Sequence, residues 1–191
     1  TIGLAIVDEQ HRFGVAQRHA LLEKQSDVAP HLLSMTATPI PRSLALSIYG
    51  DLDISVINQM PKGRKPIATA VVPESQQAGM WRHVKAQIQA GQQVYVVCPL
   101  IDPSDFLGAK SVTEVCASLK SGVLKGERIE MLHGKLKPNE KQETIEAFKQ
   151  KKIDVLVSTT VVEVGVDVPN ATVMVVMGAE RFGLAQLHQL R

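Results

Sequence analysis

Short, unbroken apolar runs separated by stretches of helical periodicity limit the possible folds of this chain more than any other feature. The runs Gly3–Asp8, Leu32–Thr36, Asp53–Ile57, Ile67–Val72, Gln93–Cys98, Arg128–Leu132, Asp154–Ser158 and Thr172–Met177 are rich in Val, Ile and Leu and do not alternate with polar residues. Strands of that kind belong in parallel sheets covered on both faces, and their alternation with helices predicts α/β architecture. Between the runs, Ser75 is placed to cap a helix carrying Trp81, Val84 and Ile88, with Gly91 at its end. Pro138 fits the first turn of a second helix that turns Ile145 and Phe148 inward. A chain of 191 residues has room for one full domain or two incomplete ones.

A break is expected at 58–66, where Asn-Gln-Met-Pro-Lys-Gly-Arg-Lys-Pro puts two prolines, a glycine and three cations into nine residues. Charge divides at the same place. Residues 1–57 carry four Lys/Arg against six Asp/Glu, and residues 58–191 carry 17 against 13. The net charge of +2 is too small to argue for nucleic acid or for a membrane surface, and interspersed glutamates make the cations between Lys110 and Lys152 read as a solvated face. No apolar run approaches the ~20 residues of a membrane span, and no basic leader precedes Ile2–Val7, so a soluble, cytoplasmic protein without membrane partners is expected. Cys98 and Cys116, with no C-x-x-C pair, read as buried free thiols in a reducing compartment. His19, His31 and His83 lack partners at i+3 or i+4, which argues against zinc, and Trp81 and Phe148 read as core rather than as stacking platforms.

Three segments carry chemistry. The first strand, Leu4-Ala5-Ile6-Val7, runs into Asp8-Glu9-Gln10-His11. Ligands of open α/β sheets bind outside the carboxyl ends of the strands, where one carboxylate can hold Mg²⁺ through water and its neighbour can orient or deprotonate an attacking water. As a bare dipeptide the same pair fits a capped surface turn. The second segment, Ser34-Met35-Thr36-Ala37-Thr38-Pro39-Ile40-Pro41-Arg42, is a stiff hydroxyl- and proline-bearing corner, compatible with an ordinary strand–turn–helix connection. The third runs from Val155 to Pro169 and offers Ser158, Thr159 and Thr160 at a strand end, followed by Gly165 and Asp167. Hydroxyls and a glycine there suit backbone approach to a phosphate or ribose, or a hydroxyl-capped turn.

Together these segments resemble superfamily 2 helicases and translocases, at motif II (Asp8–His11), motif III (Thr36–Thr38) and motif V (Ser158–Pro169). The resemblance covers essentially the whole chain. It narrows to the RecG subfamily of branch-migrating bacterial DNA helicases on Asp8-Glu9-Gln10-His11-Arg12-Phe13-Gly14-Val15 with Gln17-Arg18, on Thr36 to Arg42, and on Arg181 to Arg191. Transcription-repair coupling translocases share several of these blocks, but usually have a second Glu where this chain has Gln10. They often have Ile-Glu-Thr-Gly where this chain has Val162-Glu163-Val164-Gly165. A non-catalytic, helicase-like module that binds nucleic acid is the alternative from another class, and the intact Asp8-Glu9 pair argues against it.

The resemblance implies RecA-like parallel sheets with flanking helices. Residues 1–57 would form the C-terminal half of lobe 1, 58–66 a linker, and 67–191 a truncated lobe 2 with motifs IV, V and the start of VI. It implies ATP and Mg²⁺ as cofactors, and as partners branched double-stranded DNA with a single-strand DNA-binding protein. Asp8 would hold the Mg²⁺ through water and Glu9 would position the hydrolytic water. Gln10 and His11 would sense the γ-phosphate, with Thr36, Ala37 and Thr38 as relay. Gly165, Asp167 and Gln189 would approach the nucleotide, and Thr159, assisted by Thr160, a DNA phosphate. His133 and Gly134 match a block near the DNA backbone, with a structural hydrogen bond an equal alternative for the histidine. No G-x-x-x-x-G-K-[ST] loop occurs in these residues, and the family's Gly-Arg-x-Gly-Arg run with its arginine finger is not among them. The expectation is therefore an internal fragment that alone hydrolyses no ATP.

Overall fold

In the computed structural model, the described residues are 3–9, 30–36, 53–59, 66–99, 109–159 and 168–191. The expected site residues Gln10, His11, Ala37, Thr38, Thr160, Gly165 and Asp167 lie outside them, as does most of the 58–66 break. The chain divides into two compact units, Thr1–Lys65 and Pro66–Arg191.

In the first unit, β1 (Leu4–Val7) and β2 (His31–Ser34) pair in parallel, with Leu4 opposite His31 and Val7 opposite Ser34. In-register neighbours of a parallel pair share a face, so Leu4, Ile6 and Leu33 lie together, and all three are exposed. The expectation that both faces of every strand would be covered therefore fails for this pair. Residues 53–59, expected to contain a strand, form none and are exposed, with Ile57 at 92%.

The second unit is a four-stranded, all-parallel sheet in the order β4-β5-β3-β6. Its strands are β3 (Gln93–Val97), β4 (Ile129–Leu132), β5 (Val155–Ser158) and β6 (Ala171–Val176). Every residue of β3 and β5 is buried, as their unbroken apolar sequences require. Successive side chains point to opposite faces. Val94, Val96, Val155 and Val157 meet α1 (Gln77–Gln89) through Val84 and Ile88, and α2 (Ala109–Ser121) through Val112, Cys116 and Leu119. On the other face Tyr95, Leu132 and Leu156 pack with Phe148 of α3 (Pro138–Lys149). The Tyr95 and Phe148 rings lie 4.9 Å apart at 59°, a tilted aromatic pair. Phe148 is a fully buried core residue, and Trp81, partly buried, packs against the first cluster. Cys98 and Cys116 are buried free thiols. Burial pushes the Cys98 thiol up to about 11, with a hydrogen bond from Ser111 working against the rise and the neighbouring Cys116 adding to it.

Ile67–Val72, expected as a strand, joins no ladder, and Val71 is 97% exposed. Its β-branched composition states only how well it would fit a half-buried pleated surface, and no neighbouring strand provides one among the described residues. Ser75 also departs from expectation. It lies inside a 3₁₀ turn, Glu74–Gln76, and the residue before α1 is Gln76, which makes no side-chain cap. Gly91 does close α1. Its φ is +83°, its N–H donates to Ile88 O at 2.8 Å, and the Gln92 N–H reaches Gln87 O at 3.0 Å. Pro138 stands at the start of α3, where the Lys137 N–H donates to Glu140 Oε2 at 2.9 Å.

Buried Gln93 joins these ends. Its Nε2 donates to Phe148 O and Ile153 O, each at 2.7 Å, while its Oε1 accepts from Asn170 Nδ2 at 3.3 Å. A buried amide thereby finds partners on three segments, which pins the start of β3 to α3 and β6.

Candidate active-site edges

Parallel pairing sends all strands of a sheet out at one edge, and each unit gathers polar side chains there. In the first unit the register of Val7 with Ser34, together with the Met35 N–H to Val7 O hydrogen bond of 2.8 Å, brings Asp8-Glu9 and Thr36 to the same strand ends. Asp8 is exposed and Glu9 half-buried. Asp8 Oδ1 accepts the Glu9 N–H at 2.8 Å. Glu9 has a φ of 48°, the left-handed region that a residue with a Cβ enters at a cost of about 1 kcal/mol. The chain thus reverses sharply at the second carboxylate. Backbone outliers of this kind collect at functional sites, and the Asp8 carboxylate offsets part of the strain by accepting that amide.

In the second unit Leu132 pairs with Ser158, so His133-Gly134 after β4 and Thr159 after β5 emerge side by side. His133 is 8% exposed, while Ser158 and Thr159 are 0% exposed. Neither the Ser158 nor the Thr159 hydroxyl has a hydrogen-bond partner among the described residues. The Cys98 N–H donates to Ser158 O at 2.7 Å, and the Met177 N–H to Val97 O at 2.9 Å, which extends the edge across β3 and β6. There Gly178 has a φ of +59°, and a Cβ on it would stand 3.3 Å from Pro99 Cγ, so any other residue at this turn would carry left-handed strain and crowd Pro99. Gln189, half-buried, is placed beyond the edge on α4 (Leu184–Leu190), where the Gly183 N–H bonds Gln186 Oε1 at 3.1 Å.

Ser158 and Thr159 were read from the sequence as hydroxyls at a strand end; one residue of this edge escaped that reading. Lys141 donates from Nζ to Gly134 O at 2.9 Å and so ties α3 to the turn after β4. The signal for it was a cation in the first turn of a helix, the end that disfavours positive charge.

Polar side chains gathered at the carboxyl ends of parallel strands lie where open α/β sheets bind their ligands, and similarity to known proteins gives the family. Residues 79–191 match the helicase conserved C-terminal domain, and the chain belongs to that family. Its fold is the RecA-like one of superfamily 2 helicases. The DEAD-box helicase Mss116 bound to single-stranded RNA superimposes with a TM-score of 0.59 over 92% of this chain and 38% of its own, at 19% identity.

Within that class, the similarity over the full length is to RecG. The chain is 50% identical to the ATP-dependent DNA helicase RecG of Synechocystis and 52% identical to that of Aquifex aeolicus, covering 100% of this chain and 23% and 24% of those proteins. A structure of RecG bound to a three-way DNA junction aligns with a TM-score of 0.67 and 43% identity, covering 98% of this chain and 23% of that one. The chain thus spans about a quarter of the length of the curated relatives it matches. Among the described residues, no helix is long and apolar enough to cross a membrane.

Proposed function

We propose that this chain supplies the water-activating carboxylates and the DNA-gripping edge of an ATP-dependent helicase. That helicase would remodel branched double-stranded DNA, such as stalled forks and four-way junctions, in cytoplasmic recombination and repair. The observation that carries the reading is the Asp8-Glu9 pair, presented off the end of β1 beside Thr36, in a chain RecG-like from end to end.

The residues present fit Mg²⁺. A single exposed carboxylate at a strand end suits a cation that keeps most of its water, and Asp8 provides hard oxygen donors. Mg²⁺ held there would supply charge neutralisation on the phosphates of ATP. The remaining chemistry falls to side chains of the chain. Glu9, set apart from Asp8 by the backbone reversal, accepts a proton from the attacking water and orients its lone pair. Gln10 and His11 follow directly and respond to the presence of the terminal phosphate. Thr36, Ala37 and Thr38 carry that response onward from the adjacent strand end. In the second unit, Gly165, Asp167 and Gln189 are the proposed nucleotide contacts, as the similarity to RecG implies.

On the second edge, Thr159 with Thr160 and the His133-Gly134 turn hold a DNA phosphate. The Thr159 hydroxyl, which has no hydrogen-bond partner among the described residues, has hydrogen-bonding capacity left for an anion. Contacts of this type fix position without reading sequence, which suits an enzyme that recognises DNA shape. Branched substrates expose single strands, so a single-strand DNA-binding protein is the natural accompanying partner.

The reading is tested by ATP turnover of the full-length protein with a synthetic three-way junction and with linear duplex of the same total length. We expect the junction to stimulate hydrolysis more strongly and to be unwound. Equal rates without DNA, with duplex and with junction contradict the proposal.

A further inference from the structure

The carboxyl edge of the second unit continues past the two strands that lead to His133, Gly134 and Thr159. In the strand order β4-β5-β3-β6, one strand separates the end of β5 from the end of β6. The residues after β6 therefore stand about 10 Å along the edge from Thr159, two interstrand spacings of ~4.8 Å. There the chain leaves β6 through Gly178 and enters the 3₁₀ turn Ala179–Arg181. The Arg181 N–H donates to Gly178 O at 3.0 Å and the Phe182 N–H to Ala179 O at 3.1 Å, and buried Phe182 fastens the turn to the interior. Arg181 thus starts from a fixed backbone. Its stem folds back over the strand end: Cδ lies 3.7 Å from the place a Gly178 Cβ would occupy, a space that Pro99 Cγ borders at 3.3 Å. The Arg181 side chain stays 53% exposed. Its ionic neighbour among the described residues is the adjacent, exposed Glu180, whose Oε1 is 3.9 Å from Nε. That is too long for a hydrogen bond and leaves the outward fork of the guanidinium for a ligand.

We infer that Arg181 is a DNA-contacting residue of this edge, gripping a backbone phosphate a few nucleotides along from the one held at Thr159. The inference rests on the function proposed above. Paired N–H groups in a planar fork match the oxygens of a phosphate, which a lysine ammonium cannot do. Phosphates of one strand follow every ~3.4 Å of duplex axis, so a separation of about 10 Å spans roughly three nucleotides. The contact reads no base, in keeping with recognition of DNA shape. It also adds charge: the Thr159 hydroxyl is a neutral donor, whereas a guanidinium on a phosphate displaces a counterion and makes binding depend on salt.

The test uses the full-length wild type, Arg181→Gln and Arg181→Lys, each binding three-way junctions of one shape and two unrelated sequences across a salt series. Thermal midpoints and ATP affinity are measured on the same samples. Arg181→Gln is expected to bind both junctions about tenfold more weakly at low salt, the loss of one charge-assisted contact. Its slope of log affinity against log salt becomes shallower by about 0.9. Arg181→Lys keeps the slope and recovers part of the affinity, since the charge remains and the fork is lost. Thermal midpoints do not move. Unchanged affinity and slope in Arg181→Gln, with junction binding by the wild type intact, overturn the inference and leave the proposed function standing. So does a loss confined to one sequence, which marks a base contact, or weaker ATP binding with the salt slope unaltered, which marks a nucleotide contact. A lowered midpoint with no change of slope marks a structural role and overturns it too. If the wild type binds no junction, the proposed function falls and the inference falls with it.

Discussion

Arg128 and Asp154, 26 residues apart, meet before the first residues of β4 and β5. Asp154 Oδ2 accepts from both the amide and the Nε of Arg128 at 2.9 Å, and Oδ1 accepts from Nη2 at 2.5 Å. These hydrogen bonds hold the Asp154 carboxyl below its ordinary range, with burial opposing them in part. A depressed carboxylate stabilises the folded state above its unfolded value of about 3.9, and the contribution is lost as pH falls through the lower folded value. Asp154→Asn should therefore lower stability by about 1 kcal/mol at neutral pH, a modest figure because Arg128 is largely solvated. The difference from wild type should vanish in acid below the folded value, as read by urea denaturation at a series of pH values. Nothing in the local sequence announced this pair, since its partners come together only when β4 and β5 align. Lys141 escaped differently: its partner carbonyl, Gly134, lies only seven residues away, and a cation in the first turn of a helix was a local signal. The Asp8-Glu9 pair was legible because both residues follow one strand directly, but the left-handed turn at Glu9 was not.

Helix ends in the second unit show how far element-level chemistry can be read. Both α1 and α3 finish in the same hydrogen-bond pattern, one with Gly91 at φ +83° and the other with Lys151 at φ +58°. For α3 the Lys151 N–H donates to Phe148 O at 3.0 Å and the Lys152 N–H to Ala147 O at 2.9 Å. Gly91 was readable as a stop and Lys151 was not, because a lysine in the left-handed region is imposed by the Gln93 and Phe148 contacts around it. The matched pair gives opposite expectations in thermal or chemical unfolding. Gly91→Ala should destabilise by about 1 kcal/mol, whereas Lys151→Gly should be neutral to stabilising by up to about 1 kcal/mol, as relief of strain outweighs the added freedom of the unfolded chain. Strands β3 and β5 were legible from their valine runs. Asp53–Ile57 and Ile67–Val72 are likewise rich in β-branched residues and form no strand, since apolar content does not create a ladder.

For the whole molecule, the parallel α/β class followed from apolar runs alternating with helical periodicity. The helicase assignment needed the motifs in order and the full-length similarity to RecG. What links the scales is a common rule, that parallel strands deliver their chemistry to one edge. The acidic pair and Thr36 share such an edge in the first unit; His133, Gly134 and Thr159 share one in the second. The most direct measurement is junction-stimulated ATP hydrolysis by the full-length protein with Glu9→Gln, a near-isosteric change that removes the proton acceptor and leaves Asp8 in place. Loss of turnover by about 10²-fold or more, with ATP and junction binding retained, is the predicted result. Hydrolysis at the wild-type rate would contradict the assignment of Glu9 and the motor reading built on it.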